Sequence, residues 1–354
     1  MMVRLLLLPL TILYAIAIAV RNFLYSARII TRTRFDFPII CIGNLSAGGT
    51  GKTPHIEWLI RLLESDYKLA VLSRGYKRKT VGYVLADEQS TPQSIGDEPY
   101  QITRNFPNVA VAVSENRVLG IPHLLGDKDE TEVILMDDGL QHLPIQPGFS
   151  IILTDYSHPF YDDWLLPSGR LREFRSGYKR AQIIIVTKCP PTLSNAEQQQ
   201  IIARIKPQQG QHVFFTTIQY GPLTTVFGHE IPTSTNTVLA VSGIASPELF
   251  VNKLQSTYTN ITSLRYSDHQ EYTNLVLTEI AEKYRTLSNA IIVTTQKDAV
   301  KLNTETAQNI LGRLPVFYMP IQVQLIGNTE ENFRKLLTSY ITNEQLASEA
   351  LTES

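Results

Sequence analysis

Cysteine is nearly missing from this chain: two in 354 residues, Cys41 and Cys189. Two thiols so far apart in sequence make neither a disulfide scaffold nor a metal-ligand cluster. They read as small buried residues of a reducing compartment, which favours the cytoplasm. An excess of either charge is missing too. Lys plus Arg number 32 and Asp plus Glu 33, a net charge of −1, so no global basic field recruits nucleic acid and none is expected as a partner. Solenoid-type repeats are absent as well. With 43% hydrophobic and 18% charged residues, the composition excludes disorder and collagen-like organisation. What remains is an ordinary globular chain, long enough for about two domains.

One stretch departs from that average. Between Arg4 and Arg21, residues 5–20 are uncharged and mostly apolar. As a helix these sixteen residues rise about 24 Å, short of the roughly 30 Å hydrocarbon core. The first 35 residues carry Arg4, Arg21, Arg28, Arg32 and Arg34 and no acid. An arginine-only flank suits a helix that lies in an anionic membrane surface or dips into it. Three other readings are open: a signal peptide, imitated by Arg4, the apolar run and Ala15-Ile16-Ala17; a tilted single span; and a helix buried in the protein's own core.

From residue 36 the pattern changes to short β-branched runs alternating with longer mixed segments. Runs at 38–42, 69–72, 109–113, 133–136, 151–153 and 183–186 read as buried parallel strands. A helical pattern at 54–66, with Ile56, Leu59, Ile60 and Leu63 apolar, is typical of what lies between them. Strand and helix in alternation imply an α/β sandwich around a parallel sheet. Residues 191–236 are rich in Gln, Thr and Ser, and the alternating stretch 213–226 with Tyr220-Gly221-Pro222 at its middle reads as a hairpin joining two domains. A second strand–helix set follows, at 238–241, 247 onward, 291–294 and 316–318. The expected division is a helix over 1–35, a phosphate-loop domain over 36–211, a hairpin linker over 212–236, a C-terminal α/β domain over 237–340, and a disordered tail over 341–354 that holds Glu344, Glu349 and Glu353.

The strongest local signal is Gly43-Asn44-Leu45-Ser46-Ala47-Gly48-Gly49-Thr50-Gly51-Lys52-Thr53-Pro54, set between a predicted strand and a predicted helix. Glycines let consecutive amides turn onto phosphate oxygens, and the helix N-terminus adds its positive dipole end. The loop 46–53 is therefore the candidate nucleotide site, with Lys52 reaching the β/γ-phosphates and Thr53 on Mg²⁺. Pro54 suits the first helical turn, where no amide hydrogen is needed. Ser46 stands where the strict pattern has its first glycine.

Downstream, the run 133–136 ends in Asp137-Asp138-Gly139-Leu140-Gln141-His142. A buried strand that ends in carboxylates after a phosphate loop is a pattern for holding Mg²⁺. Adjacent aspartates diverge at a strand end, so Asp137 is assigned to the metal through water and Asp138 to the substrate. In Gly96-Asp97-Glu98-Pro99, Glu98 reads as a helix cap and Asp97 as a candidate general base. Arg117 follows a strand, where an open sheet binds ligand. Arg170, Arg172 and Arg175 lie within six residues, suited to a phosphate monoester or a polyphosphate chain, or to a solvated basic loop. Asp268-His269 is a weak signal, because most such histidines are merely satisfied polar residues, and Lys297-Asp298 after a strand is more often a cap or an ion pair. Val186-Thr187-Lys188-Cys189 lacks the aspartate of a guanine-reading motif.

Taken in order, these segments resemble the tetraacyldisaccharide 4′-kinases, the lipid A 4′-kinases of Gram-negative bacteria. The resemblance also rests on Ser73-Arg74-Gly75-Tyr76, Glu115-Asn116-Arg117, Leu171-Arg172-Glu173, Ser267-Asp268-His269 and Lys297-Asp298-Ala299-Val300-Lys301, and it covers about residues 1–335. It implies two α/β/α sandwich domains, the first of phosphate-loop type, joined by a two-stranded linker, with the active site between them. It implies ATP and Mg²⁺, and phosphorylation of the 4′-hydroxyl of tetraacyldisaccharide 1-phosphate to give lipid IVA. The N-terminal helix would lie on the cytoplasmic face of the inner membrane, and a monomer is expected. Asp97 would be the base and His269 the residue that orients it. Asp138, His142, Arg117, Arg172 and Glu173 would line the substrate site, with Arg170 added from the local sequence. The competing reading is a membrane-associated GTPase or ATPase switch with no lipid acceptor; a non-catalytic nucleotide-binding scaffold is a third.

Overall fold

The computed structural model describes residues 2–232 and 234–352. Among the described residues, fourteen strands form two sheets. In chain order they are β1 Ile39–Asn44, β2 Leu69–Ser73, β3 Val84–Leu85, β4 Ala110–Val113, β5 Val133–Asp137, β6 Phe149–Asp155, β7 Ile183–Thr187, β8 His212–Tyr220, β9 Thr224–Thr225, β10 Thr237–Ser242, β11 Asn260–Arg265, β12 Ala290–Thr295, β13 Val316–Met319 and β14 Ile321–Leu325. The first sheet runs β14-β8-β7-β6-β1-β5-β2-β4-β3 and the second β11-β10-β12-β13-β9. Pairing is parallel from β8 to β4 and from β11 to β13, with β3 and β9 antiparallel at the edges. The expected α/β architecture is therefore the observed one.

The physical cause is visible in the burial. Strands β1, β2, β5, β6 and β7 are buried at every position, because helices cover both faces of a parallel sheet. Side chains on one face join a core with Ile56, Leu59, Leu63 and Ile102, and those on the other pack with Ile121, Leu124 and Leu171. At the centre, β1 lies between β5 and β6, so whatever follows it emerges in the middle of the sheet's C-terminal edge, where open α/β sheets bind ligands.

The chain divides into two units, one of residues 1–218 with 323–354 and the other of 219–322. This corrects two expectations. The linker is no hairpin within 212–236: β8 pairs with β7 in the first sheet, while β9, beyond the 220–222 turn, pairs with β13 in the second. The two crossings between units are β8 and β14, neighbours in the first sheet. Local alternation announced two strands but not their partners.

The second correction concerns the C-terminus. Residues from 323 return to the first unit, and the expected disordered tail is instead part of a helix, Glu330–Thr352. Glu353 and Ser354 lie outside the described residues. Its polar residues are good helix formers, and Phe333, Leu337 and Ile341 form one buried stripe. Phe333 packs 4.6 Å from Trp58 and 5.0 Å from Phe214, ring to ring. The Tyr340 hydroxyl accepts from Ile39 N at 3.0 Å, and Arg34 pairs with Glu344 at 2.8 Å.

The apolar N-terminal segment forms the helix Leu8–Ser26, of 19 residues and mean hydropathy 1.6. Only Thr11 and Ile18 of it are buried, so the reading as a core helix does not hold. Leu10, Ile12, Leu13, Ile16, Val20 and Phe23 are exposed. Polar contacts pin it: Thr11 Oγ1 donates to Ser168 Oγ at 2.7 Å and accepts from Ser168 N at 3.1 Å, and Tyr14 donates to Arg172 O at 2.9 Å.

Truncating the aromatic that anchors the returning helix, Phe333→Ala, should cost about 3–5 kcal/mol. Urea unfolding followed by fluorescence would measure it, and a loss below about 1 kcal/mol would show that the helix does not hold the core.

Candidate functional site

The phosphate loop leaves β1 under close packing. A Cβ on Gly43 would stand 2.7 Å from Leu140 Cδ1, which explains a glycine there. Gly51 caps the helix Lys52–Leu63 in the left-handed region, φ 88°, which glycine adopts without strain. As the first helical residues, Lys52 and Thr53 have no intrahelical acceptor for their amides, and Pro54 has no amide hydrogen. Other loop groups are committed. Ala47 N donates to Arg170 O at 2.6 Å and Thr50 N to Gly48 O at 3.1 Å. Ser46 pairs with Leu171 in an isolated antiparallel bridge, and Ser46 O accepts from Arg172 and from Asn44 Nδ2. The residue at the relaxed glycine position thus stitches the loop to the arginine-rich segment.

Facing the loop, β5 ends at Asp137, in register with Ile42 of β1. The chain turns away through Asp138, φ 48°, so the two carboxylates diverge. Asp137 is buried and accepts from Ser73 Oγ at 3.2 Å. Burial, then the charge of Asp138, push its carboxyl up to about 6. Asp138 goes the other way: burial alone would raise it, but Lys52 and Arg172 hold it below the usual carboxylate range. Lys52 Nζ lies 3.7 Å and Arg172 Nη1 3.3 Å from Asp138 Oδ2. Arg172 also donates to Asn44 Oδ1 at 2.6 Å, and Lys52 to the same oxygen at 3.5 Å.

Arg117, buried at the start of the helix Arg117–Asp127, donates to Asp138 O at 3.2 Å. Burial, then Arg117 and Arg74, lower His142 to about 4. Glu173 is buried and holds Arg180 through two bonds of 2.7 and 2.8 Å, with Gln141 at 3.4 Å. Arg170 is exposed and paired with Asp163 at 3.2 Å, which sets it apart from the Asp138 cluster. Asp97 opens the helix Asp97–Asn105. That helix is clipped to the phosphate-loop helix by Glu57, a buried carboxylate that accepts from Gln101 and Asn105 at 2.8 Å each. The charge of Glu98 reaches Asp137.

In the second unit, His269 has φ 62° and its amide donates to Asp268 Oδ1 at 3.1 Å. Lys297 Nζ lies 3.2 Å from Asp268 Oδ1 and 3.4 Å from His269 Nε2. Asp298 is a structural cap, accepting from Gly243 N at 2.8 Å and Thr295 Oγ1 at 2.7 Å.

Sequence reasoning missed Asn44, Arg74 and Gln141 as site members. All three stood within noted motifs, Asn44 at the start of the phosphate-loop segment, but none was given a role of its own. Around the carboxylate pair, Asp137 Oδ1, Asp138 Oδ1, Arg117 Nε, Gln141 Oε1 and His142 Nε2 are buried without a partner among the described residues. A buried carboxylate oxygen so placed, with the Thr53 hydroxyl in the first helical turn, fits a divalent cation. No group of three or more His, Cys, Asp or Glu converges among the described residues, as expected where phosphates and water complete the shell of Mg²⁺.

A family model described as tetraacyldisaccharide-1-P 4′-kinase matches residues 3–342. The chain belongs to this kinase family. The tetraacyldisaccharide 4′-kinase of Bacteroides thetaiotaomicron is 42% identical over 349 residues, covering 94% of this chain and 92% of the relative. That of Flavobacterium johnsoniae is 42% identical over 345 residues, covering 96% and 98%. The crystal structure of LpxK from Aquifex aeolicus in complex with ATP matches with a TM-score of 0.73 at 29% identity, covering 96% of this chain and 99% of that one. The tetraacyldisaccharide 4′-kinase assignment replaces the switch as the account of the phosphate loop.

His55, which burial lowers to about 4, and His142 are both held neutral. A histidine with a depressed folded value binds its proton mainly when unfolded. Their contribution to stability is therefore full above about 6.5 and lost as pH falls from there toward about 4, while the raised Asp137 acts more weakly in the opposite sense below about 6. Unfolding midpoints across that window should fall with pH in the wild type and less steeply in His142→Asn. Equal slopes would show that His142 is not held neutral by its site.

Proposed function

We propose that this enzyme transfers the γ-phosphoryl group of ATP to the 4′-hydroxyl of tetraacyldisaccharide 1-phosphate, with the reaction centred between the 46–53 loop and the Asp137–Asp138 pair. The observation that carries the site is Asp138 bridging Lys52 and Arg172 directly below the phosphate loop. Charge spreading over a transferring phosphoryl group needs cations already in place, and here two are held by one carboxylate. Lys52 and the amides of the first helical turn take the β/γ-phosphates. Thr53 and Asp137 would hold Mg²⁺, which when bound neutralises phosphate charge. Asp97 takes the proton from the 4′-hydroxyl, a contribution of roughly 10²–10⁴-fold, and His269 takes part in the same transfer. Arg117, Arg172, Asp138, His142 and Glu173 line the acceptor side.

Four acyl chains keep the acceptor in a bilayer, so the enzyme works at its surface. The exposed apolar face of the helix Leu8–Ser26 supports this, inserted shallowly from the cytoplasmic side by a monomer. Next to that helix, a groove of about 460 Å³ is lined by Thr11, Trp164, Leu165, Leu171, Phe174 and Arg175. It offers an acyl chain the apolar side chains of Trp164, Leu165, Leu171 and Phe174.

Transfer from γ-labelled ATP to tetraacyldisaccharide 1-phosphate in detergent micelles tests the reading. Labelled lipid with the wild type and a loss of at least about a hundredfold in Asp97→Ala are expected. Hydrolysis of ATP with no labelled lipid would instead support the switch. His269→Ala should also slow transfer; a wild-type rate would remove it from the mechanism.

A further inference from the structure

Behind the phosphate loop, three consecutive carbonyls are held by side chains. Lys188 Nζ donates to Gly49 O, Thr187 Oγ1 to Thr50 O at 2.9 Å, and His55 Nδ1 lies 2.7 Å from Gly51 O. Lys188 is also anchored to Asp155 at 2.9 Å. Thr187 ends β7 and Lys188 follows it, at a position the guanine-motif reading set aside. His55 has no role in the chemistry proposed above. It is fully buried, and its other nitrogen lies 3.0 Å from Thr216 Oγ1, a fully buried hydroxyl on β8. A carbonyl only accepts, so Nδ1 carries the proton and Nε2 accepts from Thr216.

The effect on the loop follows from peptide geometry. In a planar trans peptide the C=O and the next N–H point in opposite directions. Fixing Gly51 O on the helix side aims the Lys52 amide at the phosphate side. The His55 amide donates to the same oxygen at 3.2 Å, but the residue carrying that oxygen is a glycine with a positive φ, the residue type least able to hold its own orientation. A packing role alone would favour an aliphatic residue here, as at the buried neighbours Ile56, Leu59 and Ile60, because an imidazole must have both nitrogens satisfied to be buried.

We propose that His55 is a positioning residue for the nucleoside triphosphate: a bridge from Thr216 to Gly51 O that holds the Gly51–Lys52 peptide with its amide aimed at the phosphates. The proposal rests on the ATP-dependent reading of the loop. It predicts an effect on ATP separable from any effect on the lipid acceptor. Asparagine can place an amide donor where Nδ1 stands, glutamine reaches only the Nε2 end, and leucine fills space with neither.

The test compares His55→Asn, His55→Gln, His55→Leu and Thr216→Val in the full chain, with KM for ATP, KM for lipid, kcat, binding of a fluorescent ATP analogue and thermal midpoint. KM for ATP should rise about tenfold or more in the Gln and Leu variants, the loss expected when a buried partner is removed. It should recover most of the way in Asn and rise less in Thr216→Val, with KM for lipid and kcat at saturating ATP within about twofold of wild type. A lowered midpoint with wild-type KM for ATP in Gln and Leu would overturn the proposal and leave His55 a packing residue. Should the Leu variant fail to fold, Asn and Gln decide, and equal KM values for the two overturn it. Were the wild type to label no lipid, the transferase reading would fall, while analogue binding by the same variants would still judge His55.

Discussion

Two adjacent carboxylates at the end of a buried strand repel each other and resist losing water, and the first unit is arranged around that conflict. Asp137 resolves it by holding its proton more tightly, and Asp138 by drawing in Lys52 and Arg172. The left-handed turn at Asp138 makes the division possible, because it sends the two side chains different ways. Lys52 opens the phosphate-loop helix and Arg172 belongs to the 170–172 segment. One carboxylate therefore ties the phosphate-loop helix to the 170–172 segment.

The same segment links the chemistry to the N-terminal helix. Leu171 bridges Ser46 in the loop, Arg172 O accepts from Tyr14, and Ser168 is bonded to Thr11. A helix with an apolar exposed face is thus anchored a few residues from the arginine that neutralises Asp138. One short stretch of chain, 168–172, thus carries both the anchorage of the apolar helix and a cation paired with Asp138. On the other side of the phosphate-loop helix, Glu57 ties in the helix that begins at Asp97, so the candidate base is referenced to the same loop.

Much of this was legible along the chain. The buried central strands were visible because burial on both faces leaves near-continuous β-branched runs, whereas β3, β11 and β14 gave no such run; the loop was visible because only glycines, a lysine and a threonine at that spacing build a phosphate nest after a strand. The carboxylate pair was visible as acids ending an apolar run. What escaped were roles set by distant partners. Arg170 and Arg172 look alike in sequence, yet one pairs with Asp163 and the other with Asp138. Asn44 reads as a strand end but bonds Lys52, Thr50 and Arg172. Residues 341–354 read as a frayed tail because small polar residues dominate there, while the helix that runs through them is held by Phe333, Leu337 and Ile341 against a core that includes Trp58 and Phe214.

By itself, the sequence determined the kinds of element, the phosphate-binding chemistry and the family, since each depends on the order of residues along a local stretch. Only the tertiary structure decided where β8 and β14 pair, that the chain returns to its first unit, and which cation meets which carboxylate. Those outcomes depend on contacts between residues tens to hundreds of positions apart, and such contacts leave no periodicity or spacing in the chain that makes them.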